Sequence, residues 1–182
     1  MTERERKYII SKNDYLALKK EFALDEILQT NYYFLQKNGD GFMTRIRLKN
    51  GKYQLTAKIN GTNINGLFVS EELNADISKE EADFYIKNGI SKQKIKEYLN
   101  LDIPFDLEYV GKLDTYRARI NYKGITIELD KNLYAGVTDY ELECELSEKE
   151  EGVLAEFLKT YFTSELTPSA LPKFKRFLNS LN

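Results

Sequence analysis

The first charged stretch of the chain, Glu3-Arg4-Glu5-Arg6-Lys7, has residue types that could bind a metal ion and a phosphate. In a β-strand, alternate side chains share one face, so Glu3, Glu5 and Lys7 would form a single row. Carboxylate oxygens suit a hard divalent cation, and a lysine ammonium suits a phosphate oxygen. A short charged amino terminus is more often a solvated strand, so this row gains meaning only if later strands repeat the pattern.

The later predicted strands do repeat it, because each one carries charges of mainly one sign on its polar face. The basic rows comprise Arg45, Arg47, Lys58, Arg117 and Arg119; the acidic rows comprise Glu128, Asp130, Asp139, Glu141, Glu143 and Glu145. Like charges two residues apart repel each other on an open surface. In a closed barrel, such rows could instead face one another across an aqueous tunnel, with the apolar faces turned outward under helices. The spacing leaves open the exterior of an ordinary sandwich, where ion pairs contribute little.

An interior that carries both strong acids and strong bases predicts a ligand that needs both. A polyphosphate with a divalent metal ion fits this requirement. Arginine binds phosphate oxygens in pairs and lysine acts as a point charge. Carboxylates hold Mg²⁺ or Mn²⁺, which bridges to phosphate and can activate a water molecule.

Composition excludes several other chemistries. The chain has 182 residues, a net charge of −2, one cysteine and no histidine. The lack of histidine removes a histidine base, a Ser-His-Asp triad and the usual zinc sites. A single cysteine, Cys144, cannot form an internal disulfide. The small net charge and the absence of a long apolar run predict a cytoplasmic protein that binds neither nucleic acid nor a membrane.

The predicted elements are strands joined by short turns and interrupted by helices. Strands are expected at 3–7, 31–35, 42–49, 53–59, 67–73, 105–112, 115–122, 125–130 and 139–146. Helices are expected from Ser11 to Leu24, Ser78 to Gly89, Ser91 to Leu101, Ser147 to Phe162 and Thr167 to Leu181. Turns are expected at 38–41, at Asn50-Gly51 and at Lys123-Gly124, with a longer loop at 60–66. This order favours an α+β fold with a large antiparallel sheet or barrel.

Taken together, the ordered motifs resemble the CYTH domain, also called the triphosphate tunnel metalloenzyme family. They are Glu3-x-Glu5-x-Lys7, Arg45-x-Arg47, Thr56-x-Lys58, Arg117-x-Arg119, Glu128-x-Asp130 and Glu141-x-Glu143-x-Glu145. The resemblance implies one domain over residues 1–182, an eight-stranded antiparallel barrel that forms a tunnel, and helices outside it. It also implies binding of triphosphate compounds with divalent metal, Mg²⁺ or Mn²⁺. The length looks most like that of the small bacterial members.

The resemblance also implies roles for individual residues. Glu3, Glu5 and Lys7 correspond to the catalytic opening motif, in which the two acids bind metal. Substrate-binding positions correspond to Arg45, Arg47, Lys58, Lys112, Arg117 and Arg119. Further metal ligands correspond to Glu128, Asp130, Glu141, Glu143 and Glu145, and which two of the last three reach the metal stays open. Two positions differ from the family pattern: Arg117 stands where lysine is common, and Leu35 replaces an aspartate.

The function expected from these motifs is metal-dependent hydrolysis of a small-molecule triphosphate by a monomer or homodimer. Inorganic tripolyphosphate is favoured, because the sequence shows no pocket motif for a base or a thiazole ring. Thiamine triphosphate is an alternative substrate. A polyphosphate- or nucleotide-binding module without turnover is an alternative of another class. Cyclisation of ATP ranks lower, because class IV adenylyl cyclases have a histidine-containing segment that this chain lacks.

Overall fold

The computed structural model describes residues 2–37 and 42–181. Its strands are β1 (Thr2–Ile10), β2 (Ile27–Leu35), β3 (Met43–Lys49), β4 (Lys52–Ile64), β5 (Leu67–Ile77), β6 (Glu108–Tyr122), β7 (Ile125–Tyr134) and β8 (Val137–Glu145). Its helices are α1 (Lys12–Glu21), α2 (Lys79–Asn88), α3 (Lys92–Leu99), α4 (Glu151–Tyr161) and α5 (Lys173–Asn179), with a short 3₁₀ turn at Glu148–Glu150. None of the helices in the described ranges is long and apolar enough to cross a membrane.

The eight strands form a closed barrel. They are hydrogen-bonded in the order β1-β5-β4-β3-β2-β6-β7-β8, and β8 pairs with β1 to close the ring. The pairs β1–β8, β2–β3, β3–β4 and β7–β8 are antiparallel. The structure therefore confirms the predicted α+β fold with an eight-stranded antiparallel barrel.

The chain packs as two compact units, and each has its own apolar core. The first consists mainly of Leu28–Gly61 and Ser70–Asp114, and the second mainly of Glu3–Ile27, Thr62–Val69 and the chain from Thr115 onward. In the first unit, Ile46 and Leu55 pack on the helices of that unit, and both are fully buried. The apolar face of its strands is thus covered by helices, and the charged face lies on the opposite side.

The second core is built from the apolar faces of β7 and β8 together with α1 and α4. Leu129, Leu142 and Phe157 are fully buried in it. The single cysteine, Cys144, lies in the same core, and its thiol is 3.3 Å from the carbonyl oxygen of Thr126. Because side chains alternate along a strand, this packing leaves the acidic residues of β7 and β8 on the other face.

Helix starts are confirmed at three predicted capping boxes. Ser11 with Asp14, Ser78 with Glu81 and Ser147 with Glu150 each exchange hydrogen bonds between side chain and backbone. Such reciprocal bonds satisfy N–H groups that have no partner within the helix. At the third box, the 3₁₀ turn precedes α4.

Two predicted element boundaries are wrong between β4 and β6. The loop expected at 60–66 is strand up to Ile64, and the reversal is confined to a tight turn at Asn65-Gly66. Asn60 takes a left-handed conformation (φ 54°) and the strand continues past it. The strands expected at 105–112 and 115–122 are one strand, β6, which passes through Gly111 at φ 148°.

The predicted closing helix from Thr167 is also wrong in its start. The helix, α5, begins only at Lys173. Pro168 is instead extended and forms an isolated antiparallel bridge with Tyr8, and the Ser169 amide donates to the Lys7 carbonyl oxygen at 2.7 Å. Pro172 disfavours helix at the residue before it, which explains the late start. The turn predicted at 38–41 lies outside the described residues.

Candidate functional site

A buried acidic cluster lies on β7 and β8 in the second unit. It consists of Asp130, Glu141 and Glu143, and one carboxylate oxygen of each lies within 4.8 Å of the others. Asp130 on β7 is the Cα partner of Glu141 on β8, and Glu143 lies two residues further on the same face of β8, so strand pairing and alternation together bring the three acids close. Asp130 and Glu141 are fully buried. Within residues 2–37 and 42–181, this is the group of acidic side chains whose spacing could hold a metal ion.

Four basic side chains reach this acidic cluster: Lys7, Arg117, Lys173 and Arg176, the last of which contacts Glu141. The Lys7 ammonium is 3.0 Å from Glu143. The Arg117 guanidinium donates to both oxygens of Asp130 at 2.7 and 2.6 Å, and to Glu143 at 2.7 Å. The Lys173 ammonium is 2.5 Å from Asp130. The buried acids are therefore neutralised by bases from three different elements, β1, β6 and α5.

A second ion-pair group adjoins the acidic cluster through α5. Arg176 donates to Glu141 at 2.8 Å and to Asp139 at 2.9 Å. Asp139 also accepts hydrogen bonds from the Tyr134 hydroxyl at 2.5 Å and from the Asn132 amide at 2.8 Å. Burial raises the pKa of Asp139, but the hydrogen bonds and charge of Arg176 outweigh that effect and hold the pKa of this carboxyl below its ordinary value.

Sequence reasoning did not find Lys173 and Arg176 as site residues. Both lie on α5, three residues apart, and so they share one face of the helix. Between them in sequence is Phe174, and Phe177 follows; both pack among buried residues. The repeated basic–aromatic dipeptides Lys173-Phe174 and Arg176-Phe177 were the available signal, but the predicted helix was too long to isolate this one turn.

The protonation preferences of the three acids differ. Burial opposes the charge on Glu143, but Lys173, Lys7 and Arg117 outweigh it and hold the pKa of Glu143 well below its ordinary value. Burial likewise opposes the charge on Asp130, and Arg117 and Lys173 lower its pKa. Burial dominates at Glu141, where the charge of Glu143 adds to it, and the pKa of Glu141 is raised. Two acids are thus firmly ionised, and the third holds a proton more readily.

The opening motif lies on β1, which is paired with β8. Lys7 is the Cα partner of Glu143, so the predicted lysine borders the acidic cluster directly. The Glu5 carboxylate is 2.7 Å from the Lys7 ammonium. Glu3 and Glu5 are half-buried and are not members of the three-carboxylate group. Burial opposes the charge on Lys7, yet Glu143 and Glu5 together raise its pKa.

A basic cluster lies on the polar face of β3 and β4 in the first unit. Arg45 and Lys58 lie 3.6 and 3.5 Å from the carboxylate of Glu72 on β5. The Arg47 Nε donates to the side-chain oxygen of Asn31 on β2 at 3.0 Å. Burial opposes the charge on Glu72, but Arg45 and Lys58 hold its pKa below the ordinary value. Glu72 therefore forms ion pairs with two of the predicted phosphate-binding residues.

The structure places three of the predicted residues at exposed positions. Lys112 is exposed and pairs with Asp114 at 3.0 Å. Arg119 is exposed and pairs with Glu128 at 3.0 Å, and Glu128 also contacts the guanidinium of Arg117. Glu145 is exposed at the end of β8. Lys112 and Arg119 pair with side chains outside the acidic cluster, and the predicted roles of all three residues stay predictions.

The donor set fits a hard divalent cation. Three carboxylates supply only oxygen ligands, as Mg²⁺ and Mn²⁺ prefer, and the chain has no histidine to compete. Lys7, Arg117 and Lys173, which contact these carboxylates, suit phosphate oxygens. The site therefore combines the two chemistries that a metal-bound polyphosphate requires.

Comparison with known proteins agrees with this chemistry. The family model of the CYTH domain matches residues 1–178. The candidate triphosphatase YjbK of Bacillus subtilis strain 168 is 31% identical over 161 residues, which are 82% of this chain and 80% of the relative. A solved candidate adenylate cyclase from Bacillus halodurans is 29% identical, with a TM-score of 0.73 and 95% of each chain covered.

A third relative shares the fold. HpAC1 of Hippeastrum, a candidate adenylyl cyclase with a dominant triphosphatase activity, has a TM-score of 0.79 at 24% identity. The alignment covers 97% of this chain and 95% of that one. Strand order, buried charge and the match over nearly the whole sequence all lead to one assignment: the chain belongs to the CYTH domain family.

Proposed function

We propose that this protein is a divalent-metal-dependent triphosphatase, and that inorganic tripolyphosphate is its favoured substrate. The observation that carries the proposal is the buried group of Asp130, Glu141 and Glu143, whose oxygens lie within 4.8 Å of one another. Burial of several carboxylates is costly unless cations compensate it. Membership of the CYTH family and the triphosphatase name of the Bacillus subtilis relative support the same reaction.

The basic residues of the first unit would bind the phosphate chain. Arg45 and Arg47 offer forked donors to phosphate oxygens, and Lys58 offers a point charge. Glu72 now holds Arg45 and Lys58 at 3.6 and 3.5 Å and keeps both charged groups on the polar face. Phosphate oxygens would replace the Glu72 carboxylate as the partner of these two cations, or would bind beside it. Because Glu72 already holds the two cations in place, the basic cluster is oriented before the substrate arrives.

The acidic residues would hold the metal. Mg²⁺ or Mn²⁺ bound by Asp130, Glu141 and Glu143 supplies charge neutralisation and an acidified water. Glu3 and Glu5 stay predicted ligands and catalytic residues on the neighbouring strand. Lys7, which Glu5 and Glu143 keep charged, would hold an oxygen of the leaving phosphate. A water positioned by a carboxylate would attack the terminal phosphorus; the bridging P–O bond would break, pyrophosphate would leave, and the proton of the water would pass to that carboxylate. Most of the rate would come from positioning and electrostatics.

The proposal is tested by measuring phosphate release from tripolyphosphate, ATP and thiamine triphosphate, with Mg²⁺, with Mn²⁺ and with chelator. We expect release from tripolyphosphate that chelator abolishes. Arg47→Ala should lower kcat/KM about 10²-fold, as the loss of one donor to a developing anion does in other enzymes. Lys52→Ala, at an exposed position on β4, is the matched control and should retain full activity.

Three outcomes would change the assignment. Release that survives chelator would remove the metal from the mechanism. Production of cyclic AMP from ATP would favour a cyclase. No release from any substrate, together with tight binding in calorimetry, would favour a binding module. The cytoplasmic location, the monomer or homodimer state and the lack of nucleic-acid binding stay predictions.

A further inference from the structure

Donors on the polar face of β2 and β3 are arranged in three successive tiers. Along the paired strands, the tiers are Tyr33 with Arg45, Asn31 with Arg47, and Gln29 with Lys49. Neighbouring tiers are about 7 Å apart, because two residues separate them and each strand residue spans about 3.3 Å. The third tier, Gln29 with Lys49, has no part in the proposed binding of a triphosphate.

The third tier contains a buried amide that has no hydrogen-bond partner. Gln29 is 2% exposed, and its Nε2 donates to no acceptor within the described ranges. The flanking Leu28, on the opposite face, is exposed, so Gln29 is not buried merely by its place along the chain. Buried amide donors are nearly always satisfied, and an exception calls for an explanation.

Neighbouring carboxamides on the same polar face form hydrogen bonds with other side chains. The Asn31 side-chain oxygen accepts from Arg47 at 3.0 Å. The Gln54 amide on β4 donates to Asp76 at 3.3 Å. The Gln29 Nε2, unlike the Gln54 Nε2, is a buried donor without an acceptor among the residues described. The same is true of the Arg45 Nε in the first tier, which is buried and has no acceptor among the residues described.

The two unused donors mark the two ends of one row. A tripolyphosphate chain is comparable in length to the step between two tiers, so a triphosphate on Arg45 and Arg47 ends before it reaches Gln29. A ligand that satisfies both buried donors must extend past the triphosphate. Because the third tier offers an amide N–H and an ammonium, the extension must carry hydrogen-bond acceptors.

We infer that Gln29 determines specificity by donating a hydrogen bond to an oxygen of the group attached to the triphosphate. A fourth phosphate and the ribose of a nucleoside both supply such an oxygen. The inference rests on the proposed function, since it extends the row of phosphate-binding residues that the proposal uses. It assigns to the polar face a substrate class of extended triphosphates rather than tripolyphosphate alone.

The test is calorimetric binding of tripolyphosphate, linear tetrapolyphosphate and ATP to wild type and Gln29→Leu. Each titration is done once with Ca²⁺ and once with chelator. The wild-type dissociation constants are taken from the condition in which binding saturates. We expect Gln29→Leu to weaken tetrapolyphosphate, ATP or both about tenfold, the usual worth of a hydrogen bond to a charged or buried acceptor. Tripolyphosphate should change less than twofold. Loss with tetrapolyphosphate alone would identify a fourth phosphate, and loss with ATP alone a ribose.

Gln54→Leu is the matched control, because the Gln54 amide lies on the same polar face but already donates to Asp76. This variant should leave the affinity for each ligand, relative to wild type, unchanged. Gln29→Met repeats the test if the leucine variant fails to fold by circular dichroism. Equal weakening of all three ligands, no weakening of any, or no wild-type binding of any would overturn the inference. Measuring phosphate release distinguishes the two proposals. Release of phosphate with unchanged ratios of variant to wild-type affinity would reject only the role of Gln29. Changed ratios without release would reject only the triphosphatase activity.

Discussion

Lys173 and Arg176 act as internal counter-ions for buried acids. Lys173 lies 2.5 Å from Asp130 and 3.5 Å from both Glu141 and Glu143. Removing several charges from water is unfavourable, and the attraction between opposite charges must offset that cost. The short helix α5 supplies the opposite charges. A divalent cation at the same oxygens would take over part of this role, so the ammonium and the metal are expected to compete.

We predict that Lys173→Met lowers the free energy of unfolding by about 3 kcal/mol in chelator, because it removes one of the buried cations that neutralise these carboxylates. Mn²⁺ should restore more stability to the variant than to wild type, since the metal then has no competing ammonium. Urea unfolding with chelator and with Mn²⁺ measures both effects. Lys175→Met is the control, because Lys175 is exposed on the same helix. Its free energy of unfolding should stay close to that of wild type both in chelator and with Mn²⁺.

An Mn²⁺ response equal to that of wild type would contradict the prediction. It would mean that the metal binds elsewhere, or that the ammonium does not restrict access to the carboxylates. The exposed control guards against a general effect of charge removal on α5.

Sequence reasoning located the acids on β7 and β8 better than their partners on α5. The period of two along a strand assigns Asp130, Glu141 and Glu143 to one face with no knowledge of the tertiary structure. Lys173 and Arg176 could be assigned to the acids only with the position of α5 known. Pro172 marks the start of that helix locally, but the position of the segment before it depends on the bridge between Pro168 and Tyr8 on β1. Such a contact between distant parts of the chain leaves no local signal in sequence.

At the scale of elements, the described part of the barrel contains two Asn-Gly turns of the same conformation. Asn50 and Asn65 both have φ 51°, and the glycines that follow, Gly51 and Gly66, have φ 75° and 77°. Their surroundings differ. A Cβ on Gly51 would meet no atom within 4 Å, whereas a Cβ on Gly66 would lie 2.2 Å from the Cβ of Pro168.

We predict that Gly51→Ala lowers the free energy of unfolding by about 1 kcal/mol, the cost of a left-handed backbone with a Cβ. Gly66→Ala should cost about 2 kcal/mol more, because it also forces the segment at Pro168 away from the turn. Urea denaturation of the two variants measures the difference directly, since the backbone term is common to both. Equal losses would show that the segment at Pro168 yields without cost.

The second of these turns was missed in the sequence because its surroundings are rich in residues that favour loops. Asn60, Gly61 and Asn63 precede it, and the composition of the stretch favours turns over strand. Local propensity was overridden here by strand pairing, which holds β4 in extended form up to Ile64. Asn50-Gly51 was predicted correctly because alternating apolar residues flank it on both sides.

At the scale of the whole molecule, charge is arranged by position rather than by amount. The net charge is only −2, yet acids and bases are concentrated on the polar faces of the barrel strands. The order of the elements alone predicted an antiparallel sheet or barrel and did not distinguish between them. Only the family resemblance predicted the closed eight-stranded barrel. Alternation gives the faces of each strand, but closure depends on which edges meet, and sequence periodicity carries no information on that.

We predict that tripolyphosphate with Mg²⁺ or Mn²⁺ raises the Tm of the whole chain. A ligand that binds only the folded state adds about 2.7 kcal/mol at a hundred times its dissociation constant. Thermal unfolding with the metal alone, the anion alone and both together measures the coupling. Sodium sulfate at equal ionic strength is the control for screening. An unchanged Tm with both ligands present would contradict binding at the charged faces.

The buried thiol of Cys144 is a natural probe for local unfolding of β8. Burial, together with the nearby charge of Glu150, raises the pKa of this thiol to about 12. A thiol reagent therefore meets neither an accessible sulfur nor a thiolate while β8 stays packed. Labelling of the native chain would time the excursions that expose β8, the strand that also carries Glu141 and Glu143, and a second cysteine introduced at the surface could be labelled separately.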